Sequence, residues 1–100
     1  MKQSVRELLG QAQVLYSVGK NEEALTLLKQ AQTQDPYCEK TYELMTICYI
    51  MMDKYKEARK LLEKYLLVNK KSSMAYFHLG NIALLEEKPE EAKAFYSKAE

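Results

Sequence analysis

The 100-residue chain contains few glycines, prolines and cysteines, one histidine and no tryptophan. With 3 Gly and 2 Pro it has too few turn residues for an all-β protein, which favours helices. Its two cysteines do not form a disulfide framework, and a lone histidine cannot assemble the converging ligands of a metal site. Cys48 lies on an apolar helix face, which predicts a buried thiol. We therefore expect no metal and no other cofactor.

The chain also lacks an excess of one charge and a long apolar run. The 15 basic and 14 acidic residues leave a net charge of +1, whereas dedicated nucleic-acid binders and polybasic membrane anchors need a basic excess. The longest apolar run, Ile47–Met52, is far shorter than the roughly 20 residues of a membrane span. The N-terminus has no apolar region of the kind found in signal peptides. We expect neither nucleic acid nor membrane as a partner. Free thiols weakly favour the cytoplasm, with an exported parent protein as the alternative.

One phrase occurs three times in the sequence. It reads NEEALTLLKQA at residues 21–31, YKEARKLLEKY at 55–65 and PEEAKAFYSKA at 89–99, a period of 34. Each copy places a glutamate before a shared alanine, at Ala24, Ala58 and Ala92. A fixed period of this length predicts stacked supersecondary units, because one such unit cannot bury its apolar face alone.

The apolar residues within each period are spaced as on one face of a helix. Leu8, Ala12 and Leu15 lie four and three residues apart. Gly19 suits the left-handed position that ends a helix, and Pro36 ends the next one. The sequence thus predicts three antiparallel helix pairs, with helices near residues 4–17, 21–34, 38–51, 55–68, 72–85 and 89–99.

This pattern resembles the tetratricopeptide repeat (TPR) family. The family pattern is matched in the first repeat by Leu8, Ala12, Leu15, Gly19, Ala24, Leu28, Ala31 and Pro36. The second repeat departs at Tyr65 and Lys70, where Ala and Pro are usual. The expected boundaries are 1–100 for a single domain and 5–38, 39–72 and 73–100 for its repeats, the third truncated as in a fragment of a longer TPR protein. The resemblance implies an all-α fold, a right-handed α-solenoid of six helices.

In the TPR family, the first helix of each repeat lines a concave surface where ligands bind. The resemblance places a partner groove at Leu9, Gln13, Tyr16, Lys40, Glu43, Ile47, Ile50, Met51, Met74, Phe77, Asn81 and Leu84. Most of these are apolar and are not needed to pack the helix pairs, and an exposed apolar patch usually marks a binding surface. We expect a non-catalytic scaffold that binds a protein, as a peptide or a helix. Self-association through the groove or through uncapped array ends is the alternative use.

One family subclass can be compared directly with this sequence. Some TPR co-chaperones bind the C-terminal carboxylates of heat-shock chaperones through basic and amide side chains. Those positions are assigned here to Leu9, Gln13, Leu44, Met74 and His78. Leu and Met supply none of the charge-assisted donors that a carboxylate needs. We therefore expect no binding of chaperone tails.

The sequence contains no catalytic motif: G-x-S-x-G, the P-loop, H-E-x-x-H and G-x-G-x-x-G are all missing. We expect no enzyme activity. An acidic cluster (Glu86, Glu87, Glu90, Glu91) and a basic stripe (Lys54, Lys56, Arg59, Lys60, Lys64) are interpreted as solvated or helix-terminal charges. Two alternatives stay open: a regulatory or substrate-docking arm of a larger enzyme, and a nucleic-acid adaptor that uses the basic stripe.

Overall fold

The computed structural model describes residues 3–100, which form six α-helices and no strand. They are α1 (Val5–Ser17), α2 (Asn21–Gln34), α3 (Glu39–Met51), α4 (Tyr55–Val68), α5 (Ser73–Leu85) and α6 (Pro89–Ala99). These bounds confirm the six predicted helices to within one residue at each end. Within the described part of the chain, no helix combines the length and the apolar character that crossing a membrane requires.

Short-range hydrogen bonds define where the helices begin. Ser4 caps α1: its hydroxyl accepts from the Glu7 amide at 3.1 Å, while the Glu7 carboxylate accepts from the Ser4 amide at 3.0 Å. Ser72 caps α5 by accepting from the Ala75 amide at 3.1 Å. Pro89 occupies the start of α6, where its missing amide proton costs nothing. The polar side chains satisfy amide groups that have no partner inside the helix.

The three turns within the helix pairs share one backbone conformation. Gly19, Asp53 and Glu87 have φ values of 84°, 59° and 62°. In the first turn, the Lys20 amide donates to the Leu15 carbonyl at 2.9 Å, and the other two turns repeat this bond. A side chain in the left-handed region costs roughly 1 kcal/mol, so only Gly19 adopts it without strain. Hydrogen bonding thus imposes the same turn on residues that do not favour it.

In the third hairpin, a glycine on the first helix lies against a large side chain on the second. A Cβ atom at Gly80 would lie 2.5 Å from the ring of Tyr96. Ala12 and Leu28, two periods earlier, are both buried in one apolar cluster. The smallest residue therefore accompanies the largest partner, which keeps the helix separation similar along the array.

The three hairpins form a curved array. Helix α3 touches both α1 and α5, whereas among the described residues α2 and α4 have no Cα atoms within 8 Å of each other, and neither do α4 and α6. The first helices of the hairpins therefore lie close together and the second helices spread apart. Helices α1, α3 and α5 form the concave side of an elongated molecule of 47 × 27 × 18 Å.

Two apolar clusters join the hairpins. Joint 1, between the first and second hairpins, buries Ala12, Ala24, Leu25, Leu28, Leu44, Met45 and Cys48. Joint 2, between the second and third hairpins, buries Tyr42, Ala58, Leu62, Tyr65, Ala75, Leu79 and Ile82. Burial raises the pKa of the Cys48 thiol to about 11, and this residue is the predicted buried thiol.

Tyr65 shows how the second hairpin accommodates its departure from the family pattern. Its ring packs on Tyr42 with 4.8 Å between centroids, and its hydroxyl donates to the Glu39 carboxylate at 2.9 Å. A larger side chain at this place is thus buried with its polar end satisfied. Burial and the bond to Glu39 together raise the pKa of Tyr65.

Candidate binding groove

The concave side carries exposed apolar side chains. Met51, Phe77 and Leu84 are 58%, 50% and 51% exposed. Five more candidates are half-buried because one side of each packs against a joint: Leu9, Tyr16, Ile47, Ile50 and Met74. These eight residues come from α1, α3 and α5, so the structure brings together side chains that lie up to 75 residues apart in the sequence. We call this surface, with the four polar candidates described below, the groove.

The middle of the groove contains a short polar chain. Glu43 on α3 receives hydrogen bonds from Lys40 at 3.3 Å and, through Nε2, from the buried His78 at 3.2 Å. Partial burial acts to raise the pKa of Glu43, but the hydrogen bonds and charges of His78 and Lys40 outweigh it and lower the pKa. Lys40 therefore faces the groove with much of its charge balanced by a neighbour.

An aromatic group closes the end of the groove at the third hairpin. The Phe77 ring lies 6.0 Å from the Tyr96 ring and 5.4 Å from the His78 ring, measured between centroids. The Tyr96 hydroxyl donates to the Asn81 side-chain oxygen at 2.5 Å. Asn81 is therefore held in place by α6, and Phe77 stands between two rings while half of its surface remains exposed.

Of the polar candidates, Gln13 is the most separate. Gln13 on α1 and Lys40 on α3 are exposed, and Gln13 makes no described contact with the other polar candidates. All twelve predicted residues lie on the first helices of the hairpins. Their role in binding a partner stays a prediction.

The assignment of Leu44 to a ligand-facing position was wrong. Leu44 is 1% exposed and belongs to joint 1, so it cannot reach a ligand in the groove. Ile47, three residues later and nearly one helical turn on, lies on the groove side of α3. His78 is also buried and contacts Glu43. Two of the five positions compared with the carboxylate-binding subclass are therefore buried in this chain.

The acidic cluster and the basic stripe are partly joined to each other. Arg59 on α4 forms ion pairs with Glu86 at 2.5 Å and Glu91 at 2.8 Å, both in the third hairpin. Glu86 is therefore a partly exposed carboxylate that is also an ion-pair partner of the second hairpin. Sequence reasoning missed this link because the partners lie 27 and 32 residues away, beyond the reach of helix-spacing rules.

Most polar side chains around the groove are engaged with one another. No group of three His, Cys, Asp or Glu side chains is placed to hold a metal ion between residues 3 and 100. Of the groups around the groove, Glu43 is engaged by Lys40 and His78, and the Asn81 oxygen by Tyr96. What remains accessible is mainly apolar surface on a concave support.

Comparison with known proteins supports this description of the fold. Two tetratricopeptide repeat family models match the chain, one over residues 15–82 and one over 75–100. No curated protein matches it by sequence. The Yersinia enterocolitica type III secretion translocator chaperone SycD has a similar structure, with a TM-score of 0.87 and 21% identity over 99% of this chain and 75% of SycD.

Several similar structures contain bound peptides. SycD in complex with a peptide of the translocator YopD superposes with a TM-score of 0.83, at 21% identity, over 94% of this chain and 72% of that one. The second TPR of Spaghetti (RPAP3), bound to the HSP90 peptide SRMEEVD, gives a TM-score of 0.82 at 21% identity, over 97% and 90% of the two chains. At such identities the structures show a shared fold. Since one family model alone spans more than half of the residues, the chain belongs to the tetratricopeptide repeat family.

Proposed function

We propose that this chain is a non-catalytic interaction scaffold that binds a peptide or a helix in the groove formed by α1, α3 and α5. The observation that carries the proposal is the exposure of Met51, Phe77 and Leu84 on the inner side of a curved array. Covering apolar surface stabilises a complex by roughly 25 cal/mol per Å² before the costs of association are subtracted. A partner with apolar side chains fits this surface.

The similar structures support a peptide partner. SycD binds a peptide of YopD, and the second TPR of Spaghetti binds an HSP90 peptide. The same architecture therefore binds peptides in two other proteins. The binding residues proposed for this chain are chosen by the exposure and position of its own side chains.

The chemistry of the groove indicates which peptides it accepts. Met51 and Met74 are flexible and polarizable, which suits an adaptable apolar contact. A terminal carboxylate needs charge-assisted donors, and Leu9, Ile47 and Met74 offer none. We propose that apolar segments bind and that chaperone C-terminal tails do not.

A displayed library of random short peptides tests this function. Selected peptides are expected to be rich in apolar residues, and binding should weaken at least about tenfold, or about 1.4 kcal/mol, in the Met51→Asp plus Phe77→Asp variant. Leu67→Asp is the matched control, because Leu67 is an exposed apolar residue on α4, outside the groove. Circular dichroism shows whether each variant folds.

Two results would contradict the proposal. If the selected peptides bind the folded double variant as tightly as the original chain, the groove is not their binding site. The peptide SRMEEVD serves as the second probe. Saturable binding of this peptide that weakens with added salt would show that carboxylates are recognised after all.

A further inference from the structure

The outer side of the first hairpin is built like the surfaces that are buried inside the array. Val14 is 64% exposed, whereas its counterparts one and two periods later, Cys48 and Ile82, are 0% exposed because the preceding hairpin covers them. Around Val14 lies a depression of about 360 Å³. We call this surface the leading face; its lining residues are Gln11, Val14, Leu15 and Leu27. Among residues 3–100, no helix covers it.

The third hairpin shows the complementary feature. Leu84 on α5 is half exposed, while its counterparts Tyr16 and Ile50 pack against joint 1 and joint 2. Phe77 is half exposed as well. We call the side of the third hairpin that carries Phe77, Leu84 and Lys93 the trailing face. It presents the residues with which each earlier hairpin contacts the hairpin that follows it.

Gly10 leaves open space at the leading face. This glycine lies inside α1, where glycine is less favourable than alanine, and a Cβ atom there would meet no other atom within 4 Å. Its counterpart in the third hairpin is His78, which contacts Glu43 across joint 2. The counterpart of Glu43 one period later is Phe77. If the trailing face met a leading face in the geometry of joint 2, the large Phe77 would therefore lie opposite Gly10.

The charges of the two faces also match. Across joint 2, Arg59 pairs with Glu91 at 2.8 Å. One period after Arg59 stands Lys93, and two periods before Glu91 stands Glu23. The same geometry between two copies would place Lys93 of one copy beside Glu23 of the next, a pair of opposite charge.

We infer that copies of this chain associate head to tail, with the trailing face of one copy on the leading face of the next. The two surfaces differ, so the contact is heterologous and lengthens into open chains as concentration rises. Gln11 is polar where the joints bury Met45 and Leu79, which makes this contact weaker than an internal joint. The association is therefore reversible. Since Phe77 and Leu84 also belong to the groove, a bound copy covers one end of it.

Sedimentation velocity of the 100-residue chain, over about a hundredfold range of concentration, tests the inference. The average mass should rise with concentration in the original chain. Val14→Lys blocks the leading face and Leu84→Lys blocks the trailing face, so each variant alone should remain monomeric. Mixed together they retain one intact pair of faces, and a heterodimer that grows no further is expected. Leu67→Lys on α4 is the matched control and should assemble like the original chain.

The Gly10→Leu variant distinguishes the proposed head-to-tail contact from nonspecific apolar association. Leucine is a better helix former than glycine, so the thermal unfolding temperature of the variant should rise. The added side chain fills the space assigned to Phe77 and should weaken association at least about tenfold. Normal assembly of Gly10→Leu would overturn the inference. A chain that stays monomeric at every concentration would also overturn it. So would a dimer that only one of the two lysine variants disrupts and that mixing the variants does not restore, because a symmetric contact gives that pattern.

Discussion

Joints 1 and 2 occupy equivalent places in the array but differ in chemistry. In joint 1, Leu25 is buried and Met52 packs against the same apolar cluster. One period later, the counterparts of these two residues are Arg59 and Glu86, which form an ion pair at 2.5 Å. An apolar contact at one level of the array is thus replaced by a charged one at the next.

A second pair of positions shows the same replacement. Leu9 packs against the cluster that contains Leu44 in joint 1. Their counterparts in joint 2 are Glu43 and His78, joined by a hydrogen bond of 3.2 Å. Joint 2 therefore replaces two apolar contacts with polar ones, although both joints also bury a large apolar cluster.

The comparison separates geometry from interaction type. The repeat determines which positions face each other, because the backbone of each hairpin meets its neighbour in the same way. It does not determine how those positions attract. Removal of apolar surface from water is insensitive to moderate salt and pH, whereas exposed ion pairs are screened by salt and lost on titration. The two joints should therefore respond differently to solution conditions.

The largest expected effect comes from breaking joint 1. Leu25→Ala removes a buried side chain from the apolar cluster and should lower the free energy of unfolding by about 2–3 kcal/mol. Because no charge is involved, urea denaturation should show the same loss in low salt and in about 1 M NaCl. A loss below about 1 kcal/mol, or one that depends strongly on salt, would mean that joint 1 is not held by apolar burial.

Breaking the ion pairs of joint 2 should lower the free energy of unfolding less, and an apolar contact should be able to replace them. Arg59→Leu removes both ion pairs and should cost about 1 kcal/mol in low salt and less in about 1 M NaCl, since the carboxylates keep contact with water. Adding Glu86→Met recreates the chemistry of Leu25 and Met52, so the double variant should recover most of the loss. Urea denaturation of the three proteins measures this. A double variant less stable than Arg59→Leu alone would show that the two joints are not interchangeable.

The sequence was sufficient to predict the fold because the period of 34 repeats the determinants of each helix. Ala24, Ala58 and Ala92 mark the same buried place in three hairpins. Gly19 correctly indicated a left-handed turn. Asp53 and Glu87 did not, because the conformation there comes from hydrogen bonds across the turn and not from the preference of the residue.

The contacts around the groove and between the hairpins were harder to predict from the sequence than the helices. The sequence did not show that Leu44 and His78, two positions compared with the carboxylate-binding subclass, are buried, because their burial depends on the neighbouring hairpin. The pairing of Arg59 with Glu86 was missed because it depends on how two hairpins are stacked. Spacing rules describe one helix at a time, and long-range pairs follow only from the curvature of the array.

The smallest expected effect is a pH-dependent contribution to stability that joint 2 has and joint 1 lacks. Glu43→Gln keeps the size of the side chain but removes the charge that attracts Lys40 and strengthens the hydrogen bond from His78, so it should cost about 0.5 kcal/mol at neutral pH. The pKa of Glu43 is lower in the folded state than its ordinary value of 4.5. The carboxylate therefore stabilises the fold above that value, and the contribution is lost as the pH falls through the lowered pKa.

Stability curves of the original chain and of Glu43→Gln should accordingly converge as the pH falls through the lowered pKa of Glu43. Leu9→Ala, at the counterpart position in joint 1, provides the contrast: its cost should stay constant over the same pH range because no titrating group is removed. If both variants lost their effect at low pH, the change would reflect general acid destabilisation of the array. If neither did, the attraction between Glu43 and its two partners would contribute nothing to joint 2.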